Sequence, residues 1–207
     1  MKRINLISLG IAGALLFSVQ AHAQQDGRFS VTVGGAHANP SNSTGQLAGG
    51  TLDAAIDGGN APTLALGWHL NENVAFELWG ALDRFTHDLS LDGGKAGTIS
   101  HQPVALSAQY YFTGSQAFRP FLGLGWHHSN VDREHTTGAL DGTRLGIETG
   151  EGPMGTIGMD FLVGERWFAR ADARYLRWRS DVAVDGANVG EAKVDPWLVG
   201  LSVGARF

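Results

Sequence analysis

Between Trp167 and Arg179 the chain alternates with a period of two. Arg170, Asp172 and Arg174 fall on one face of an extended segment, and Ala169, Ala171, Ala173 and Tyr175 fall on the other. Such a strand needs counter-charges or water on one side and an apolar medium on the other. A closed β-barrel in a membrane supplies both, because ring closure pairs every backbone donor and acceptor while the two faces meet different surroundings. An arginine facing lipid at mid-depth costs roughly 2–4 kcal/mol. The charged face is therefore expected in the lumen, paired with acids such as Asp172, Glu77 or Asp160.

Alternation of apolar with small or polar residues predicts strands near Arg28 to Gly35, Pro62 to His69, Val74 to Arg84, Pro103 to Phe112, Arg119 to Asn130, Thr156 to Val163, Trp167 to Arg179 and Asp195 to Phe207. The number is even. The second, fourth and sixth connections are short (Asn71-Glu72-Asn73, Thr113 to Ala117, Gly164-Glu165-Arg166), and the other four are long and polar. Short turns alternating with long loops predict an all-β fold: an eight-stranded antiparallel up-and-down transmembrane barrel with long extracellular loops and both chain ends on the periplasmic side. A soluble lipocalin-like barrel shows the same alternation with the faces exchanged, so the pattern alone leaves that alternative open.

The N-terminus reads as an export signal. Lys2 and Arg3 precede an apolar run from Ile4 to Val19, and Ala21-His22-Ala23 supplies a small-x-small cleavage site. Residues 1–23 are expected to be a cleaved signal peptide and residues 24–207 the barrel domain. No later stretch approaches the roughly 20 consecutive apolar residues of a membrane helix, so insertion must use strands. With Lys2 and Arg3 removed, 13 basic residues face 20 acidic ones, a net charge of −7 that argues against a nucleic-acid partner. The chain has no cysteine, which suits an exported protein that does without disulfides. Its 30 glycines are scattered without a period, as turns, bulges and close strand contacts require.

On these strand assignments Trp68, Phe76, Tyr110, Phe112, Phe161, Trp167 and Phe207 fall at periplasmic strand ends on the outward parity, as an aromatic girdle does. Trp126, Tyr175 and Trp197 are candidates for the outer girdle. The eight residues from Trp167 to Tyr175 rise roughly 20 Å at about 3.3 Å each with a tilt of about 40°, close to the apolar band of about 25 Å. A final outward phenylalanine preceded by alternating apolar residues is similar to the C-terminal signal read by outer-membrane assembly machinery.

Several segments together resemble the OmpW family of small outer-membrane proteins. His101-Gln102-Pro103 followed by Ala105 to Phe112 is similar to the family's fourth strand, and Phe118 to Gly125 to its fifth. Val194-Asp195-Pro196-Trp197 running on to Gly204-Ala205-Arg206-Phe207 is similar to its last strand. Weaker matches lie at Pro62 to Leu64, Val74 to Leu78 and Trp167 to Tyr175, so the resemblance covers nearly all of the chain after the leader except the long loops. It implies an integral Gram-negative outer-membrane barrel whose hydrophobic channel admits small apolar molecules from the outer face, with release sideways into the membrane.

The family's constriction residue falls at Trp79, which the parity places inward beside Glu77. Leu176, Trp178 and Leu198 share the inward parity nearer the outer end, where ordinary packing is the expected role of each and the lining of an apolar funnel the alternative. Arg174 stands where some relatives carry a tryptophan, which argues against a purely apolar constriction: either Asp172 or another acid neutralises it, or it shifts selectivity towards ligands with a carboxylate head such as fatty acids. Pro62, Pro103 and Pro196 are expected to start even-numbered strands where pairing has ended, with a lateral opening as the alternative. The expected partners are outer-membrane lipid and lipopolysaccharide, the barrel assembly machinery through the Phe207 strand, and small hydrophobic ligands.

Catalytic and metal readings are weak. His127-x-Ser129 resembles a short piece of the lipid A deacylase triad, but inward parity turns both residues away from lipid, so no catalytic residue is expected. His87, His101, His127, His128 and His135 match no ligand spacing and are expected to be solvated loop residues. No glycine-rich phosphate cradle precedes a helix, and no cofactor is inferred. The competing function is a structural or adhesive barrel whose lumen is plugged by salt bridges.

Overall fold

The structure is a computed structural model that describes residues 27–40, 44–47, 52–91, 94–115, 117–136, 145–147, 149–184, 187–193 and 195–207. The leader expected at residues 1–23 lies outside them. In chain order the strands are β1 (Phe29–Asn39), β2 (Thr44–Leu47), β3 (Leu52–Ile56), β4 (Gly59–His69), β5 (Val74–Ala81), β6 (Phe85–Leu91), β7 (Gly94–Tyr111), β8 (Phe118–Thr136), β9 (Leu145–Ile147), β10 (Gly150–Val163), β11 (Trp167–Leu176), β12 (Arg179–Val184), β13 (Ala187–Lys193) and β14 (Trp197–Arg206).

Eight of these close the ring. β1 pairs antiparallel with β4 from Phe29↔Trp68 to Ala38↔Gly59, and with β14 from Ser30↔Arg206 to Asn39↔Trp197. The circuit continues β4–β5–β7–β8–β10–β11–β14, antiparallel throughout. The remaining six extend the extracellular rim, where β2–β3 joins β6, and β9 and β13 flank β12. Closure leaves no membrane-embedded strand edge with unpaired amides.

The three short turns close as their residues suggest. The Asn71 side chain accepts hydrogen bonds from the backbone N–H of Asn73 (2.9 Å) and Val74 (2.8 Å), an Asx turn. Ser115 Oγ accepts from Ala117 N–H (3.1 Å), and Gly164 turns the third connection at φ 76°.

Which face is inside is answered by exposure. Leu124 is 78% exposed and Leu201 70%, whereas Arg174 is 1% exposed, Glu77 3% and Arg170 4%. Large apolar residues outside and charges inside is the membrane arrangement and excludes the soluble barrel. Phe29, Trp68, Phe76, Tyr110, Phe112, Phe118, Phe161 and Trp167 ring the periplasmic end, all exposed. Trp126 and Trp197 are exposed at the outer end, with Tyr175 packed 5.1 Å from Trp197.

The strands differ from the sequence reading in extent. β7 and β8 stay paired out to Gly97↔Thr136, and β1, β4 and β10 also run further outward than the alternation indicated. Beyond the bilayer neither face meets lipid, so the outer halves carry no hydrophobic period. The third expected strand breaks at Leu82 to Arg84, where Leu82 N–H bonds to Pro62 O (2.8 Å) and Arg84 N–H to Asp83 Oδ1 (2.8 Å). The seventh breaks at Arg177-Trp178, whose amides bond to Pro153 O (3.1 Å) and Asp195 Oδ1 (2.8 Å).

Pro62 and Pro103 lie inside β4 and β7 and do not start them, because both strands continue past the bilayer. At Pro62 the wall closes again just beyond, through Asp57 N–H to Asp88 O (3.1 Å) and His87 Nδ1 to Asp57 O (2.7 Å).

Candidate functional site

Inward positions of the ring stack into layers. At mid-depth β11 presents Arg170, Asp172 and Arg174, β5 presents Glu77, and β10 presents Asp160. Arg170 grips Asp160 with two bonds, Nε to Oδ1 (2.6 Å) and Nη2 to Oδ2 (2.9 Å), and reaches Glu77 Oε2 through Nη1 (2.5 Å). Arg174 binds Asp172 through Nε (2.8 Å) and the other Glu77 oxygen through Nη1 (2.9 Å). One carboxylate thus ties two arginines together across the lumen, as planar guanidinium forks and two-oxygen acceptors allow.

The layer is also held by rings. The Arg170 guanidinium lies over Phe121 (4.6 Å) and Phe168 (5.4 Å), and that of Arg174 lies over Trp79 (4.7 Å). Tyr111 accepts from Arg170 Nη2 (2.8 Å) and donates to Gln109 Oε1 (2.8 Å). The void lined by Trp79, Arg170, Asp172 and Arg174 measures about 10 Å³. That is room for about one water. The charged layer is therefore a closed floor.

Above it the lumen turns apolar. Trp79, Phe85, Met154, Leu176 and Leu198 pack with Ala36, Ala38, Ala61, Ala65, Ala81 and Ala105 in one buried cluster. The alanines come from β1, β4, β5 and β7, so a half-circle of the wall carries short side chains opposite the bulky ones. The same part of the wall bears a shallow, open depression on its outer surface along Gly34, Gly35, Ala36, Ala61, Pro62 and Leu201.

The outer end is closed by aromatic and imidazole rings. His101 stacks on His87 (5.0 Å, 4° between planes) and on Phe85 (5.4 Å), and meets Trp178 edge-on (5.0 Å). His127 Nε2 bonds to Arg177 O (3.1 Å), so that nitrogen carries the proton and Nδ1 accepts from Ser129 Oγ (3.2 Å). His101 lies five residues of strand beyond Leu106, which pairs with Trp126 of the outer girdle, and so stands outside the bilayer with its neighbour His87. Burial, assisted by His87 and His127, lowers the His101 pKa to about 3. Burial also lowers that of His87, against the opposing bond to Asp57 O. Both rings are neutral at ordinary pH.

The five expected site residues are distributed over these layers. Trp79, Leu176 and Leu198 meet in the apolar cluster, Arg174 caps Trp79 from the floor, and Trp178 sits higher, in the ring of imidazoles. Trp178 is therefore not part of the apolar lining. Arg174 is already committed to Glu77 and Asp172, which removes the motive for a carboxylate-headed ligand there. Three histidines expected in solvated loops are buried instead: His87 (4%), His101 (3%) and His127 (0%).

His135 lies among side chains outside the described ones, and no group of three or more potential ligands able to hold a metal occurs among the described residues. His127 and Ser129 do touch, but both are fully buried, and a backbone carbonyl stands where a triad has its acid.

Sequence reasoning missed Tyr111, Gln109 and Phe121, which complete the floor from below. Their parity was visible, since Tyr111 lies between the outward Tyr110 and Phe112, but nothing in the sequence ties them to Arg170.

A closed eight-stranded barrel with lipid-facing leucines, two aromatic girdles and a charged lumen is an integral outer-membrane β-barrel. The chain belongs to the OmpW family, whose family model matches residues 25–207. It is 26% identical over 209 residues to Outer membrane protein W of Vibrio cholerae serotype O1, covering 94% of this chain and 95% of that one. It is also 26% identical to Outer membrane protein W of Escherichia coli K12, covering all of both chains. The crystal structure of OprG from Pseudomonas aeruginosa superposes with a TM-score of 0.73 at 24% identity, covering 86% of this chain and 95% of that one.

Proposed function

We infer that this barrel passes small apolar molecules from the outer face into the plane of the membrane. The carrying observation is the sequence of layers: a packed apolar layer of Trp79, Leu176 and Leu198 rests on a closed charged floor, beside a wall of glycine and alanine with a shallow depression on its lipid side. An apolar solute gains nothing by crossing the floor, where it would have to break ion pairs that are held in low dielectric. Sideways passage beside Gly35, where an added Cβ would meet only Ala61 O at 3.7 Å, meets little side-chain bulk. Membership of the OmpW family agrees with this direction of travel. In this reading Trp79 is the bottom of the apolar layer that the solute must part, Arg174 fixes its ring, and Trp178 with His101 forms the outer cover that must move aside.

The competing reading, a structural barrel with a plugged lumen, is favoured by the 10 Å³ void and by the continuity of the charged layer. In either case the lipid-facing surface contacts bilayer and lipopolysaccharide, and the strand ending at Phe207 is the segment the assembly machinery would engage. Uptake of a small apolar probe by Gram-negative cells separates the two readings, using cells that lack the protein, carry it, or carry Trp79→Arg at matched surface abundance. Faster uptake with the native protein only is the expected result. Equal rates in all three would leave the plugged barrel.

A further inference from the structure

Below the charged floor, on the periplasmic side, lies a second cavity of about 90 Å³ that the uptake reading does not use. Three arginines from separate elements line it: Arg119 of β8, Arg166 of the β10–β11 turn and Arg206 of β14. The acids on its wall are Asp160 and Glu165. Both Asp160 oxygens are held by Arg170 and Glu165 is exposed; Arg206 gives its Nε–H to Gly27 O and feels Glu72, which still leaves guanidinium donors in excess of acceptors around the cavity.

Two further lining groups point the same way. Arg119 Nε and His69 Nδ1 are buried nitrogens without a hydrogen-bond partner in the protein. His69 is 6% exposed and holds its other nitrogen 3.2 Å from Ser30 Oγ. Arg119 Nε–H is a buried donor without a partner, and His69 Nδ1 is one when Ser30 Oγ donates to the other ring nitrogen; such donors are costly, and a ligand rich in acceptors removes that cost.

We propose that this periplasmic vestibule binds a phosphate-class oxyanion. Guanidiniums converging from three directions suit an anion with three or more acceptor oxygens, which a single carboxylate does not provide. The volume accommodates a few waters or one tetrahedral anion, and it is too small for a sugar or an acyl chain. Trp167 of the periplasmic girdle also lines the cavity, so its mouth stands at the depth of inner-leaflet headgroups. The phosphate can therefore arrive on a phospholipid or free from the periplasm.

The test uses the mature barrel folded in a maltoside detergent that contains no phosphate. Inorganic phosphate is titrated while the arginine Nε–Hε signals are followed by NMR. Saturable shifts confined to Arg119, Arg166 and Arg206 are expected, with at least about tenfold weaker binding in Arg119→Gln and in Arg166→Gln. Arg166 is exposed on a turn, so its variant keeps the test valid if Arg119→Gln folds poorly.

Native mass spectrometry from phosphatidylglycerol nanodiscs distinguishes the sources. A retained phospholipid that phosphate displaces identifies the lipid headgroup, and phosphate binding without a retained lipid identifies the free anion. Absence of saturable shifts, or undiminished binding in both folded variants, overturns the site.

Discussion

Replacing Arg170 by methionine should destabilise the barrel more than any other single change in the lumen floor. Arg170 is 4% exposed, supplies both bonds to Asp160, one to Glu77 and one to Tyr111, and stands between two aromatic rings. The floor sets two arginines against three carboxylates. Removing one cation leaves Asp160 buried without its partner, and breaking a buried pair on one side costs about 3–5 kcal/mol. Glu77→Gln acts differently. Each arginine keeps its own aspartate, the introduced amide still offers an acceptor oxygen, and the expected loss is about 1–3 kcal/mol.

Adding Asp160→Leu to Arg170→Met should recover part of the larger loss, because the orphaned charge disappears with it. Urea unfolding in lipid vesicles, followed by tryptophan fluorescence and by the heat-dependent shift on gels, gives the three values. A stability of Arg170→Met within about 1 kcal/mol of native, or a greater loss for Glu77→Gln, would refute the network as the element that holds the lumen shut.

A Cβ on Gly34 would overlap the Leu201 carbonyl and the Ser202 side chain across the β1–β14 seam, so Gly34→Val should lower the yield of heat-shifted barrel, whereas the lipid-facing Val33→Ala should not. The outer cover should loosen in acid. His101 is held neutral by burial, its folded pKa of about 3 lies below the unfolded value near 6.5, and its contribution is complete above 6.5 and lost as pH falls towards 3. At about 1.4 kcal/mol per unit this amounts to roughly 2–3 kcal/mol by pH 4.5. Hydrogen exchange at β6 and β7 should accelerate accordingly, and His101→Phe should flatten that dependence; an identical pH profile in the variant would contradict it.

The sequence reading was sound where lipid imposes a period. Ala169 to Tyr175 and Trp197 to Val203 alternate because one face meets acyl chains, and the strand count, turn positions, inward charges and girdles follow from that contrast, except that Ala205 is buried and Phe207 half-buried where both were expected outward. It faded where the contrast ends. β7 and β8 continue into water with polar residues on both faces, and the breaks at Arg84 and Trp178 are set by aspartate side chains that take up the backbone N–H groups there, Asp83 Oδ1 and Asp195 Oδ1.

The floor was half legible. Arg170, Arg174, Glu77, Asp160 and Asp172 were all expected inside, but the sharing of Glu77 depends on ring closure across 97 residues of chain. The buried histidines were misread for a similar reason, because a histidine in a long polar segment gives no sign that the segment folds over the barrel mouth.

The central claim is that the apolar layer inside the lumen, and not the bilayer-facing wall, receives the solute. Methyl-labelled alanine in the barrel in nanodiscs, titrated with a short alkane and observed by NMR, tests it directly. Saturable shifts at the lumen residues Ala36, Ala61, Ala65, Ala81 and Ala105, with little change at the outward Ala108, Ala169 and Ala173, are predicted. Unsaturable shifts at the outward alanines, with the lumen set unmoved, would contradict it.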